Sequence, residues 1–242
     1  MALHTRILLG LLLGAAAGVI AKLSFADAPA LAWAVTNVAQ PVGQVFLRML
    51  FMIVVPLIFA SVTLGVTSLG DLKRVGRIGG RAFGFFLLTT ACAAAIGLTL
   101  VNTIGPGESL DPAVRTALLE QYAGEASARV GSGPAFGVEN FVAIVPRNPV
   151  QAMANNDLLG LIFFSIVVGV ALLQLGAERA KPVTDVLETV VAVVTRIIDY
   201  AMALAPYGVA GLIFSVTATF GADVLKSLGL YVVAVLLGLA IH

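Results

Sequence analysis

Long apolar stretches separated by short polar ones run along almost the whole chain. A helix of about 20 apolar residues crosses the hydrocarbon core of a bilayer, and the pattern contains about six stretches of sufficient length. They cover residues 7–25, 38–69, 76–104, 158–175, 182–220 and 222–242. The second is long enough to be strongly tilted. The pattern therefore predicts an all-α polytopic membrane protein.

The fourth apolar region begins at Phe141 and is interrupted before it resumes at Leu158. The interruption reads VPRNPVQAMANND, with two prolines and three asparagines. Proline removes a backbone donor and breaks a continuous helix. Irregular backbone is not tolerated where it faces lipid. We therefore predict a broken fourth helix whose break is covered by protein or lies at the membrane interface.

Composition agrees with this class of protein. The 242 residues are 60% hydrophobic and only 11% charged, whereas a soluble domain is nearer half apolar and a quarter charged. Cys92 is the single cysteine, so the sequence contains no disulfide framework. No Ser–His–Asp set, no His/Cys cluster and no phosphate loop is present, and nothing indicates a nucleic-acid surface. The sequence does not indicate an enzyme.

Basic residues mark one side of the membrane. They lie before the first span, between the second and third spans, and between the fourth and fifth: Arg6; Lys73, Arg74, Arg77 and Arg81; Arg179 and Lys181. Cytoplasmic loops carry an excess of Lys and Arg. We therefore predict a cytoplasmic N-terminus and an extracellular polar segment at 106–140, where acidic residues outnumber basic ones.

Three charged residues within the apolar spans are candidates for a functional role or an ion pair. Arg48, in the second span, has a functional interpretation as a substrate or ion contact. The interpretation that we favour is that it extends to the outer interface or pairs with a carboxylate or carbonyl. Arg196 and Asp199 lie three residues apart on one helix face and are predicted to pair with each other.

Thr89 and Thr90 lie in the middle of the third span, in FFLLTTACAAAIG. A threonine hydroxyl in a helix usually bonds back to a carbonyl one turn earlier and needs no ligand. A hard cation such as sodium also prefers hydroxyl and carbonyl oxygens. The residues alone leave both interpretations open, and two hydroxyls cannot complete a cation shell.

Three long strings of this sequence are distinctive: residues 46–107, from FLRMLFMIVVP to TIGPG; residues 141–176, with the VPRNP break; and YAMALAPYGVAGLIFSVTATFG. They resemble the dicarboxylate/amino acid:cation symporters, the glutamate transporter family. The first resembles that family's second and third helices, the second its broken fourth helix, and the last its fifth. The similarity runs in order through all six spans.

The resemblance implies a homotrimer with a static scaffold and a mobile transport domain that moves like an elevator. Residues 1–70 would form scaffold helices one and two, and residues 141–220 the broken fourth and the fifth. Residues 71–105 would form helix three of the transport domain, and residues 221–242 the start of helix six, truncated within LGLYVVAVLLGLAIH.

The function implied by the resemblance is symport of dicarboxylates or acidic amino acids, coupled to Na⁺ or H⁺ and without another cofactor. Its expected place is a bacterial inner membrane. The family's Asn-Met-Asp-Gly-Thr motif and serine-rich hairpin do not occur in these residues, so we expect an N-terminal part without the substrate-binding hairpins. The alternative is a non-transporting trimeric scaffold; a pore is less favoured because no ring of charge lines a span.

One set of site residues follows from the resemblance. The family places two hydroxyl residues of helix three and a nearby backbone carbonyl at a sodium site. In this sequence these are Thr89, Thr90 and the carbonyl of Phe86. The family often has Tyr followed by a hydroxyl residue and Ser here, but a backbone contact survives the change to Phe. No substrate-binding residue is expected among these 242.

Overall fold

The computed structural model describes residues 2–25, 28–105, 116, 119–120, 123 and 142–242. Eight α-helices and one π-helical turn account for nearly all of these residues. In chain order they are α1 (Leu3–Phe25), α2 (Pro29–Ala34), the π-helix Val35–Ala39, α3 (Gln40–Thr67), α4 (Leu72–Ile104), α5 (Pro149–Ala154), α6 (Leu158–Leu175), α7 (Ala177–Phe220) and α8 (Asp223–Ile241).

The all-α polytopic class is confirmed. Among the described residues, five helical segments are long and apolar enough to cross a membrane, and Leu225–Ile241 is a shorter apolar helix. The helical segment that carries the second predicted span begins at Pro29 rather than at residue 38, because α2, the π-helix and α3 are continuous. Most of the predicted extracellular loop at 106–140 lies outside the described residues.

The break in the fourth helix is confirmed. The side chain of Asn148 accepts hydrogen bonds from the backbone N–H groups of Val150 and Gln151 and so caps the six-residue helix α5. A turn follows, in which Asn156 takes a left-handed φ of 55°, a conformation that asparagine tolerates. Asp157 then accepts a hydrogen bond from the N–H of Gly160 and begins α6.

The chain forms two compact units. The first contains Met1–Leu47, Phe83–Val130 and Met202–His242. In it, a row of glycines at every fourth position of α1, formed by Gly10, Gly14 and Gly18, lies against α7. A Cβ on Gly14 would lie 2.5 Å from the carbonyl oxygen of Ala210, and one on Gly10 would meet the carbonyl of Pro206. Two helices in lipid can approach each other this closely only where the residues between them are small.

The second unit contains Arg48–Ala82 and Gly131–Ala201. Parts of α3, α6 and α7 form its core. One buried cluster comprises Ala60, Leu172, Ala180 and Leu187, and a second comprises Ile53, Val194 and Ala201. The rings of Phe59 and Phe164 stack with centroids 5.8 Å apart. Small and branched side chains thus hold these three helices together.

Candidate cation site

The hydroxyl pair of the sequence prediction lies on α4, a 33-residue helix without a single acidic residue. None of the residues in its most apolar stretch is buried among the described residues. A Cβ added to Gly76, Gly80 or Gly84 would meet no described atom within 4 Å, unlike one added to the glycine row on α1. The face of α4 that carries these glycines is thus uncovered in the described part of the chain.

Thr89 is half-buried, and its hydroxyl bonds to the turn before it. The Oγ1 atom lies 3.0 Å from the carbonyl oxygen of Phe85, to which it donates, and 3.2 Å from that of Phe86. Thr89 therefore makes the back-bond that is usual for a helical threonine. Because a hydroxyl carries one proton and two lone pairs, Thr89 can donate to Phe85 and still offer a lone pair to a cation.

Phe86 and Thr90 lie one helical turn apart. In a helix the carbonyl of residue i points toward residue i+4, so the Phe86 carbonyl is directed at the turn that carries Thr90. The Thr90 side chain is exposed, and within the described part of the chain its hydroxyl makes no hydrogen bond. Thr89, Thr90 and the Phe86 carbonyl thus lie within about one turn of α4.

Three neutral oxygens suit a hard monovalent cation better than a transition metal, which prefers imidazole or thiolate ligands. The described residues contain no group of three or more His, Cys, Asp or Glu side chains that could hold a metal ion. A cation at Thr89 would therefore need further oxygen ligands besides those on α4. The role of Thr89, Thr90 and Phe86 as a partial sodium site stays a prediction.

A second polar region, which sequence reasoning treated only as a break, forms a cavity of about 870 Å³ beside α5. Arg147, Gln151 and Asn155 contribute polar groups to its lining. Asn148 and Asp157 also line it, but both act as helix caps. The cap signals, an Asn before Pro and an Asp three residues before Gly, were present in the sequence. This region stabilises the start of α6.

The charged pair predicted in the fifth span is confirmed. Arg196 Nη1 lies 3.6 Å from Asp199 Oδ2, and both side chains are largely exposed. Sequence reasoning missed a second pair on the same helix, Lys181 and Asp185, whose i,i+4 spacing was the available signal. Both pairs lie on α7, and neither contributes a residue to the hydroxyl pair of α4.

The comparison with protein families decides the class of this chain. The model of the sodium:dicarboxylate symporter family matches residues 3–242. The chain belongs to this family. The resemblance drawn from the three strings is thereby confirmed.

Relatives in this family carry two kinds of name. The C4-dicarboxylate transport protein of Bacillus subtilis is 38% identical over 78% of this chain and 44% of its own length. The proton/sodium-glutamate symport protein of Geobacillus stearothermophilus is 32% identical over 95% of this chain and 52% of its own length. The protein of the same name in Bacillus subtilis is 34% identical over 98% and 53%. The chain spans about half the length of these relatives.

Proposed function

We propose that these residues belong to a secondary transporter that couples the uptake of a dicarboxylate or acidic amino acid to Na⁺ or H⁺. The observation that carries the proposal is the family match over residues 3–242. The relatives' names support the cargo and the coupling, since they are C4-dicarboxylate transport and proton/sodium-glutamate symport proteins.

We further propose that the chain supplies the static scaffold and two helices of a moving domain in an elevator mechanism. The scaffold would comprise residues 1–70 and 141–220, and the moving part residues 71–105 and 221–242. Two packing observations support this division. The glycines of α1 lie in close contact with α7, whereas a Cβ added to Gly76, Gly80 or Gly84 of α4 would meet no described atom within 4 Å.

The hairpins that hold the cargo in this family are, in our proposal, absent from these residues. Thr89, Thr90 and the Phe86 carbonyl would contribute part of a sodium site that the rest of the moving domain completes. Binding an anion and cations together offsets their charges in a medium of low dielectric constant. The empty or half-filled site would cross the membrane at a greater free-energy cost, and this difference couples the two fluxes.

The proposed assembly is a homotrimer in a bacterial inner membrane with the N-terminus in the cytoplasm. The orientation rests on the basic residues at alternate helix ends, of which Lys73, Arg77 and Arg179 are exposed. A reporter enzyme that is active only in the cytoplasm should be active when it is fused before Met1. A reporter that is active only outside the cytoplasm should be inactive at the same position, and the reverse pattern would contradict this orientation.

Transport by two purified proteins in liposomes tests the proposal. The first is the 242-residue chain alone. The second is a chimaera in which the chain is followed by the remaining part of the Bacillus subtilis C4-dicarboxylate transport protein. Labelled succinate, fumarate and aspartate are supplied with and without a gradient of Na⁺ or H⁺. We expect gradient-dependent uptake by the chimaera and none by the chain alone.

The outcomes separate the parts of the proposal. Uptake by the 242 residues alone would contradict the assignment of the cargo site to other residues. A folded chimaera without gradient-dependent uptake would oppose the proposed transport function. Cross-linking of the chain alone in the bilayer tests whether it forms trimers. If the chain is a non-transporting scaffold, trimers should form but the chimaera should be inactive.

A further inference from the structure

Arg48 has an exposed side chain on the α3 helix. Within the described part of the chain it forms no ion pair, since the pairs found there join Lys181 to Asp185 and Arg196 to Asp199. A guanidinium that faces hydrocarbon without a partner is energetically costly. The position of Arg48 along the helix and the neighbours on its face indicate what it meets instead.

The position along the helix places Arg48 at a membrane boundary. The 19 residues from Met49 to Thr67 form about 28 Å of helix, which matches the hydrocarbon core of about 30 Å. After Thr67 the chain turns and reaches the exposed Lys73, which marks one polar boundary. Arg48 therefore lies at the opposite boundary, where phospholipid headgroups begin.

The polarity of the sequence also changes at Arg48, which agrees with a membrane boundary at this position. Residues 49–66 contain only Ser61 and Thr63 as hydrogen-bonding side chains. The part of the span before Arg48 is more polar and carries Thr36, Asn37, Gln40 and Gln44. An apolar segment of core length thus begins immediately after the arginine.

The face of α3 that carries Arg48 is apolar toward the membrane core. Phe51 and Met52, three and four residues on, are 65% and 59% exposed and share the face of Arg48. The opposite face, with Leu50, Ile53 and Leu57, packs in the core of its unit. A charged donor lies at the boundary, and exposed apolar side chains lie one turn deeper. This order matches the headgroup and acyl chain of a phospholipid.

We propose that Arg48 binds the phosphate of a phospholipid whose acyl chain lies along Phe51 and Met52. The guanidinium offers two parallel N–H donors to phosphate oxygens, which strengthens and orients the contact. The apolar side chains then remain covered by lipid rather than by water. This inference requires only that the helix spans the bilayer, and it does not depend on the proposed transport function.

Tryptophan quenching by brominated lipids tests the proposal on the 242-residue chain. Trp33 is its only tryptophan, so W33F/F51W places a single reporter beside Arg48. The protein is reconstituted into phosphatidylcholine vesicles that contain brominated phosphatidylglycerol or brominated phosphatidylcholine. A basic residue near the surface favours an anionic lipid by about 1 kcal/mol, which is about fivefold. We expect that preference for phosphatidylglycerol with Arg48, its loss in R48Q and its retention in R48K.

A matched reporter measures bulk lipid. Leu13 of α1 is 68% exposed, and W33F/L13W should be quenched equally by both lipids whether or not R48Q is present. The same L13W signal shows that R48Q is folded and inserted. Added inorganic phosphate should not change the quenching of F51W.

Three results would overturn the proposal. Absence of quenching at F51W would show that protein or water covers this face. An undiminished phosphatidylglycerol preference in R48Q would assign it to another residue. Loss of the preference on addition of inorganic phosphate or succinate would indicate a site for small anions, including cargo, instead of a lipid.

Discussion

The hydroxyl of Thr63 donates a hydrogen bond to the carbonyl oxygen of Ser165, 3.2 Å away, and joins α3 to α6. Both residues are completely inaccessible to solvent. The Ser165 hydroxyl itself bonds back to Leu161 within its own helix. This polar contact therefore links two apolar helices at a position where no water can replace it.

Replacing Thr63 with Val should destabilise the folded chain by about 1 kcal/mol. The substitution keeps the shape and the β-branch but removes the donor to Ser165. Ser61 provides the control, because its exposed hydroxyl bonds only to carbonyls of its own helix, and S61A should change stability by less than half as much. Reversible unfolding in detergent measures both. Equal stability of wild type and T63V would show that the contact contributes nothing.

A side chain at position 14 should destabilise the protein, whereas one at position 80 should be tolerated. A Cβ at Gly14 would lie 2.5 Å from the carbonyl oxygen and 2.9 Å from the Cα of Ala210, while one at Gly80 would meet nothing within 4 Å. We expect G14A to lower the free energy of unfolding by about 1–3 kcal/mol through forced separation of the helices. G80A should be neutral or stabilising, by up to about 1 kcal/mol, because alanine favours helix.

Thermal unfolding of the two variants side by side checks this pair. The substitution is the same and both sites are helical, so helix propensity alone would stabilise both. A stable G14A would contradict the close packing of α1 on α7. A destabilised G80A in these 242 residues would show that a partner covers α4 even without further chain.

Hydropathy and charge predicted the spans well because bilayer thickness sets the length of each apolar stretch. The fourth span was predicted at 158–175, and α6 occupies Leu158–Leu175. The fifth was predicted to begin at Pro182, but α7 begins at Ala177. Proline is common in the first turn of a helix, so Pro182 suggested a helix start. The break between α6 and α7 lies instead at Gly176, which has a left-handed φ of 82°.

Partners between helices could not be predicted from the pattern. Thr63 and Ser165 are 102 residues apart, and periodicity shows which face is polar without showing what covers it. Local contacts were accessible, since the Arg196–Asp199 pair and the Thr89 back-bond follow from helix geometry. The sodium role of Thr89 came from family resemblance, because one helix supplies too few ligands to indicate it.

Asp157 should be required for the start of α6. Its Oδ1 accepts a hydrogen bond from the N–H of Gly160 at 3.1 Å, and loss of such a cap costs about 0.5–2 kcal/mol. We expect D157A to lower stability by about 1 kcal/mol and D157N to retain most of it, since Asn also caps. D185A is the control, because its exposed pair with Lys181 is worth only about 0.3–0.5 kcal/mol.

Unfolding in detergent measures the Asp157 series, and limited proteolysis between Asn155 and Leu158 reports fraying directly. Faster cleavage should appear in D157A and not in D185A. If D157N is as unstable as D157A, the charge of the carboxylate rather than its capping geometry stabilises the helix start.

Thr89 and Thr90 should set the apparent sodium affinity of a transport-competent chimaera. Removing one oxygen ligand from a cation should cost about as much as a hydrogen bond to a charged group, about 1.5–3 kcal/mol, or roughly tenfold or more in affinity. We therefore expect T89A and T90A each to require about ten times more sodium for half-maximal uptake. T89S should be close to wild type because it keeps the hydroxyl, and F86Y should be unchanged because the proposed ligand is the backbone carbonyl.

Thr99 is the control, since its exposed hydroxyl bonds only to Ala95 on the same helix, and T99A should not shift the sodium curve. A sodium dependence that T89A and T90A leave untouched would remove these residues from the cation site.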